Sequence, residues 1–310
     1  MFHIKTEAFG DYEAYLLSDS TGAHQLKIVP AFGACVIALQ LHGQEVLDTY
    51  QSPKAMSINR WAKNVLLYPF PNRLKHGQYE WEGKTYEFPV NDVPTNNALH
   101  GFGTEQEMEV ATSEANADYA QICCRFEYDG MFDYYPFPFR FDVVFTLRTG
   151  TLEVELSVEN TGASALPFGM GWHPYFRLSE DLANHHLHLP TCEMVGVDSE
   201  MIPTGKRYEY TTFSQPRRIG SEVLDNCFAL QQQEGRVQIH LSHANQQFTY
   251  WQEVGEAGFP FVQLFTPPHR TCLAIEPMTC NIDAFNNGEG LMRVEPGERR
   301  SAVFGVEKND

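Results

Sequence analysis

The 310-residue sequence contains no long apolar run. No segment approaches the roughly 20 consecutive apolar residues of a membrane span, and Met1-Phe2-His3-Ile4-Lys5-Thr6-Glu7 lacks the basic region and apolar stretch of an export signal. A cytoplasmic protein with no membrane partner is expected. Basic residues are also scarce: 22 Lys and Arg stand against 40 Asp and Glu, for a formal charge of −18. Such a surface repels the phosphates of nucleic acids and anionic lipids. A neutral small molecule is the better partner. The seven cysteines form no CxxC pair, and their odd number argues against a secreted disulfide framework. They are expected to be small reduced hydrophobes. Linkers rich in Gly and Ser, charge blocks and fixed-period repeats are all missing, so residues 1–310 are expected to form a single domain. Helical periodicity is weak as well, and the best candidate is a short piece from Glu105 to Val110.

What the sequence does have is alternation with period two. Leu152-Glu153-Val154-Glu155-Leu156-Ser157-Val158-Glu159 alternates strictly and ends at Asn160-Thr161-Gly162, the pattern of a half-buried strand. Phe141 to Arg148, before Thr149-Gly150, is its expected hairpin partner, and Val237 to Ser242 repeats the alternation. Glu82-Gly83 lies between Gln78-Tyr79-Glu80-Trp81 and Lys84-Thr85-Tyr86-Glu87-Phe88, and predicts another hairpin. The stretch 111–120 is small and polar, as in a loop or a solvated strand edge. The aromatic run Tyr134-Tyr135-Pro136-Phe137-Pro138-Phe139 is better suited to packing one end of the fold than to lining a cleft. Together these features predict an all-β protein, a large antiparallel β-sandwich with its site in loops or on one sheet face.

Five polar islands interrupt the strands. In Gly171-Trp172-His173-Pro174-Tyr175-Phe176 the proline biases His173 toward extended backbone, and Trp172, Tyr175 and Phe176 offer flat walls suited to a sugar ring. An imidazole there is a candidate general acid, or else a core histidine bonded to backbone. Leu273-Ala274-Ile275-Glu276-Pro277 puts a carboxylate at the end of an apolar run, where desolvation raises its pKa into the range of a useful base; an ion pair with an arginine is the alternative. Pro71-Asn72-Arg73-Leu74 follows another apolar run, and its guanidinium can grip ring oxygens or form a structural salt bridge. His100, in Asn97-Ala98-Leu99-His100-Gly101-Phe102-Gly103, sits among glycines at a turn, where it either meets a ligand or simply faces solvent. Asp225 opens a strand at Leu224-Asp225-Asn226-Cys227-Phe228, where capping is its default use.

The islands, in this order, resemble the aldose 1-epimerases, or mutarotases, of the galactose mutarotase-like class. The resemblance runs from Asn72-Arg73 through Asn97-Ala98-Leu99-His100-Gly101 and His173-Pro174-Tyr175-Phe176 to Glu276-Pro277 and Glu295-Pro296-Gly297-Glu298. It implies a supersandwich fold, a free aldose such as glucose or galactose as substrate, no cofactor and no metal, and a monomer or homodimer. It further implies that His173 protonates the ring oxygen and Glu276 takes the proton of the anomeric hydroxyl. Arg73 and His100 then hold and polarise the sugar, Asp225 binds ring hydroxyls, and Asn72, Trp172 and Tyr175 complete the substrate site.

Two departures bear on the substrate. Many galactose-acting members have Thr-Asn before the acid histidine, where this chain has Gly171-Trp172. Hexose-phosphate epimerases share His100-Gly101-Phe102 but usually follow it with an arginine, here replaced by Gly103-Thr104. With a charge of −18, a free aldose is favoured over a hexose 6-phosphate. A noncatalytic carbohydrate-binding protein on the same fold is an alternative. A metal-dependent enzyme using His186 and His188 of His185-His186-Leu187-His188 is a weaker one, because no nearby carboxylate or cysteine completes the ligand set.

Overall fold

The strict alternation of Leu152 to Glu159 forms the middle of the strand Thr151–Asn160, which pairs antiparallel with Phe139–Arg148 from Arg148↔Thr151 to Phe139↔Asn160. Both belong to a nine-stranded sheet in the order Glu109–Ala115, Tyr119–Tyr128, Phe139–Arg148, Thr151–Asn160, Arg299–Glu307, Gln246–Val254, Gly235–His243, His186–His188 and Arg217–Arg218. The computed structural model describes residues 1–308 except Gln233 and Glu256. A second, eight-stranded sheet runs Pro203–Tyr210, Cys192–Val197, Asp225–Leu230, Phe261–Phe265, Leu273–Met278, Gly171–Trp172 and Leu66–Leu67, with Tyr175–Phe176 also paired to Leu273–Met278. A five-stranded antiparallel sheet is built from Phe2–Phe9 to Gln44–Glu45. Strands make up 53% of the chain and helices 8%, so the all-β class and antiparallel sandwich follow as expected.

The two large sheets close on an aromatic core. Trp172 stacks on Phe304 of the nine-stranded sheet at 5.3 Å, and Phe176 stacks on Phe248 at 4.7 Å. Because successive side chains in a strand point to opposite faces, the strands of the eight-stranded sheet divide their residues cleanly. Val262, Leu264, Leu273, Ile275 and Phe228 enter the main core, whereas Gln263, Glu276 and Asp225 face the other way and line a cavity. One sheet thus serves the core and the site at once.

The Gln78–Trp81 and Lys84–Glu87 hairpin forms around Glu82-Gly83. Tyr135, Phe137 and Phe139 are buried in the core, the packing role expected of their aromatic run. The stretch at 111–120 begins in an edge strand, Glu109–Ala115, that is largely exposed. The expected helix from Glu105 to Val110 is not present. A 3-10 turn at Gly103–Glu105 is followed by the strand starting at Glu109, in register with Arg125. Pairing with a ten-residue neighbour outweighs the slight helical preference of a short segment. The helices are instead Pro53–Ile58, capped by the Ser52 hydroxyl with proline in its first turn, and the single turn Ala284–Asn287. Among the described residues no helix is long and apolar enough to cross a membrane.

Candidate active site

Three neighbouring strands place the polar side chains of the site. Gln263 and Glu276 are register partners, and Asp225 pairs with Phe265 two residues along the shared strand. His173 follows Gly171–Trp172; its backbone N–H donates to Val65 O at 3.0 Å, and its carbonyl accepts from Asn64 N at 2.9 Å. The same alternation turns His173 and Tyr175 to the cavity and Trp172 and Phe176 to the core. Loops and short elements supply the rest: Asn59, Trp61, Asn72, Arg73 of the two-residue strand Arg73–Leu74, Asn91, Asp92 and His100 complete much of a cavity of about 470 Å³.

At its centre His173 Nε2 lies 3.4 Å from Glu276 Oε1. Glu276 is 1% exposed and His173 6%. The imidazole plane is fixed by Tyr175, whose ring stacks on it at 4.9 Å and 14°, while the Tyr175 hydroxyl donates to Trp61 O at 2.9 Å. His100 approaches His173 edge-on at 5.3 Å. Its Nδ1 accepts the backbone N–H of Asn72 at 3.1 Å, and its own N–H donates to Asn72 O at 2.8 Å. A backbone N–H can only donate, so neutral His100 carries its ring proton on Nε2. Both Asn72 (φ +59°) and His100 (φ +65°) occupy the left-handed region, a strain that their mutual hydrogen bonds offset. Arg73 donates from Nε to Asp92 Oδ2 at 2.8 Å, and Gln263 Nε2 donates to Asp225 Oδ1 at 2.9 Å.

Burial dominates the electrostatics. Desolvation pushes the Glu276 carboxyl well above its usual range; the nearby charge of Asp225 adds to the rise, and Arg73 opposes it. The same desolvation lowers His173 to about 3. His100 is held well below its usual value by burial first, then by His173 and Arg73. Asp225 is raised by burial, against the pull of Arg73 and Gln263. Burial thus favours the uncharged form of both partners. The 3.4 Å contact is slightly longer than an ordinary hydrogen bond. It is short enough for a small shift to let a proton pass between the two groups. A carboxyl and an imidazole sharing one proton can deliver it to one oxygen of a ligand while accepting another from a second oxygen.

Three buried side-chain atoms of the lining have no hydrogen-bond partner: His173 Nδ1, Gln263 Oε1 and Glu276 Oε2. Buried polar atoms are normally paired. Orphans gathered around one cavity match a ligand rich in hydroxyls.

Seven of the eight residues expected from the sequence come together: Asn72, Arg73, His100, His173, Tyr175, Asp225 and Glu276 all line the cavity. Trp172 does not. It is fully buried against Phe304, and its Nε1 donates to Asn64 O at 3.1 Å, because the residue beside a cavity-facing one points to the opposite side of the sheet. Tyr175 lines the cavity, but one face of its ring is covered by His173. The more open aromatic wall consists of Trp61 and Phe265, 5.8 Å apart. The acid and base implied by the resemblance, His173 and Glu276, are immediate neighbours. His186 and His188 lie on the nine-stranded sheet, outside the cavity lining. Among the described residues no group of three or more His, Cys, Asp or Glu is arranged to hold a metal ion.

Sequence reasoning missed Trp61, Asp92, Gln263 and Phe265. Gln263 had a readable signal, a lone polar residue on an apolar strand, Phe261-Val262-Gln263-Leu264-Phe265. Asp92 had none, since Asn91-Asp92-Val93-Pro94 is the composition of any turn.

The fold is shared widely. A galactose mutarotase-like protein from Clostridium acetobutylicum superposes with a TM-score of 0.88 at 21% identity, covering 100% of this chain and 99% of that one. The galactose 1-epimerase of Lactobacillus acidophilus gives 0.83 at 16% identity, with 100% and 99% coverage. In sequence, the Escherichia coli K12 protein YihR is 26% identical over 306 residues, 96% of this chain and 91% of its own length. The family model for aldose 1-epimerase matches residues 15–307, a span that includes every cavity residue named above. This chain belongs to the aldose 1-epimerase family.

Proposed function

We propose that the protein is an active aldose 1-epimerase that interconverts the α and β anomers of a free aldose such as glucose or galactose. The contact between His173 and Glu276 inside a hydroxyl-matching cavity carries this reading. Anomer exchange requires a proton to leave O1 while another reaches the ring oxygen O5. The ring then opens to the aldehyde, the C1–C2 bond turns, and closure takes place on the other face. Both oxygens are bonded to the same carbon, so acid and base must be neighbours, as these two side chains are. Glu276 acts as the base at O1 and His173 as the acid at O5; on reclosure the protons return. For this assignment Glu276 is ionised and His173 protonated when the sugar reacts, a state favoured when Arg73 and the bound hydroxyls stabilise the Glu276 carboxylate. Each group contributes about 10²–10⁴-fold.

Arg73 and His100 Nε2–H are the donors to sugar oxygens. Asp225, Gln263 and Asn72 supply further polar partners, and Trp61 and Phe265 cover an apolar face of the ring. No cofactor has a part in these steps. The Lactobacillus acidophilus structure of the same fold is a galactose 1-epimerase, an activity of this class. The partner is a small sugar, and the protein works in the cytoplasm as a monomer or homodimer. Freshly dissolved α-glucose and α-galactose, followed by polarimetry or proton NMR with and without the protein, test the proposal. Faster anomer exchange supports it. Sugar binding without any acceleration would replace it with a noncatalytic carbohydrate-binding role.

A further inference from the structure

Among the described lining residues Arg73 alone carries a permanent positive charge, and it lies close enough to Asp225 and Glu276 to influence both. For a guanidinium so placed, Asp225 is a competing acceptor. The guanidinium is held elsewhere: Nε donates to Asp92 Oδ2 at 2.8 Å, and a terminal nitrogen reaches Asn72 Oδ1 at 3.4 Å.

Asp92 is in turn clamped. The Thr95 hydroxyl donates to the same Oδ2 at 2.6 Å and accepts from Asn97 Nδ2 at 3.0 Å. Asn97 is fully buried; Nδ2 also donates to Glu200 O at 2.8 Å, and Oδ1 accepts from His76 N at 3.0 Å. Backbone hydrogen bonds run both ways between Asp92 and Asn97. A relay thus leads from a buried amide through a hydroxyl and a carboxylate to the Nε edge of the arginine. A planar guanidinium gripped at Nε cannot rotate about its long axis without breaking a charge-assisted hydrogen bond.

We propose that Asp92 is a positioning residue, which holds the Nε edge of Arg73 so that the terminal N–H groups stay in the cavity for the sugar's oxygens instead of collapsing onto Asp225. The role in turnover rests on the epimerase reading; the grip on Arg73 does not. Asp92→Ala lowers kcat/KM for anomer exchange by about 10–100-fold, the range expected for a lost hydrogen bond to a charged group. Asp92→Asn keeps an oxygen to accept from Nε and loses less.

The discriminating measurement is a double-mutant cycle. In an Arg73→Lys background there is no guanidinium edge to hold, so adding Asp92→Ala costs less than about threefold. Equal losses in both backgrounds would show that Asp92 acts through the loop fold and not through Arg73, and would overturn the assignment. If Asp92→Ala does not fold, Thr95→Val removes the clamp while keeping the carboxylate, and the same cycle applies with a smaller loss. A second readout needs no turnover: the Arg73 Nε–H resonance, identified by its disappearance in Arg73→Lys, exchanges slowly with solvent in the native protein and faster in Asp92→Ala. Unchanged exchange would also overturn the proposal. A native protein that epimerises no sugar tells against the epimerase reading alone, and Nε–H exchange then decides the role of Asp92.

Discussion

At the scale of single residues, function and stability pull in opposite directions at Glu276 and His173. On the proposed mechanism Glu276→Gln and His173→Asn each remove a proton-transfer group, and each is expected to lower kcat by at least about two orders of magnitude in the anomer-exchange assay. Near-native turnover in either variant would reassign the roles. Stability responds differently. A carboxyl raised from 4.5 by burial keeps its proton in the folded protein after the unfolded chain has lost it, so its contribution falls as pH rises from 4.5 through the raised value. An imidazole lowered from 6.5 to about 3 contributes fully above 6.5, and that contribution is lost as pH falls toward 3. The two slopes oppose one another between 4.5 and 6.5. Above 6.5 only the penalty of ionising Glu276 remains. Glu276→Gln therefore gains stability relative to the native protein as pH rises from 5 to 8, which urea unfolding at the two pH values can measure. A constant difference would mean that Glu276 is not the group holding the proton.

At the scale of elements, legibility depended on period. The strands announced themselves because alternation is written into four or more consecutive residues, and the same arithmetic places His173 and Tyr175 together on the cavity side. It also sends Trp172, one residue from His173, to the core side of the sheet. Trp172→Ala is accordingly a packing mutation. It is expected to cost about 3–5 kcal/mol of unfolding free energy, read by chemical denaturation, while the fraction that folds keeps kcat within a few fold. A selective loss of sugar affinity with stability unchanged would return Trp172 to the site. The turn after His100 is equally constrained. Gly101 has φ +66°, and an added Cβ would lie 2.2 Å from Tyr68 O, so Gly101→Ala strains the turn that aims His100. More than about 1 kcal/mol of stability goes with it, together with a lower kcat/KM. The loop residues Trp61 and Asp92 stayed hidden because nothing local distinguishes a turn that reaches a cavity from one that does not. Long-range pairing decides that, as it also replaced the expected helix near Glu105 with a strand.

At the scale of the whole molecule, global and local charge agree on what the cavity admits. The chain carries −18, and the lining sets one arginine against Asp92 and Asp225 even when Glu276 holds its proton. A negatively charged sugar is thus opposed twice, by the surrounding field on approach and by two carboxylates within the site, with Arg73 already engaged by Asp92. Neutral aldoses face neither barrier. The expected outcome is a higher kcat/KM for free glucose or galactose than for the corresponding 6-phosphates. Their salt responses should also diverge, because ions screen charge–charge repulsion over about 10 Å at 0.1 M. Raising the salt from 10 to about 200 mM leaves anomer exchange of the free sugar nearly unchanged and increases it for the phosphate, as repulsion between like charges is screened. A phosphate ester that is the better substrate at low salt, and that slows as salt is added, would require a cationic surface at the cavity that neither the −18 total nor Arg73 alone supplies.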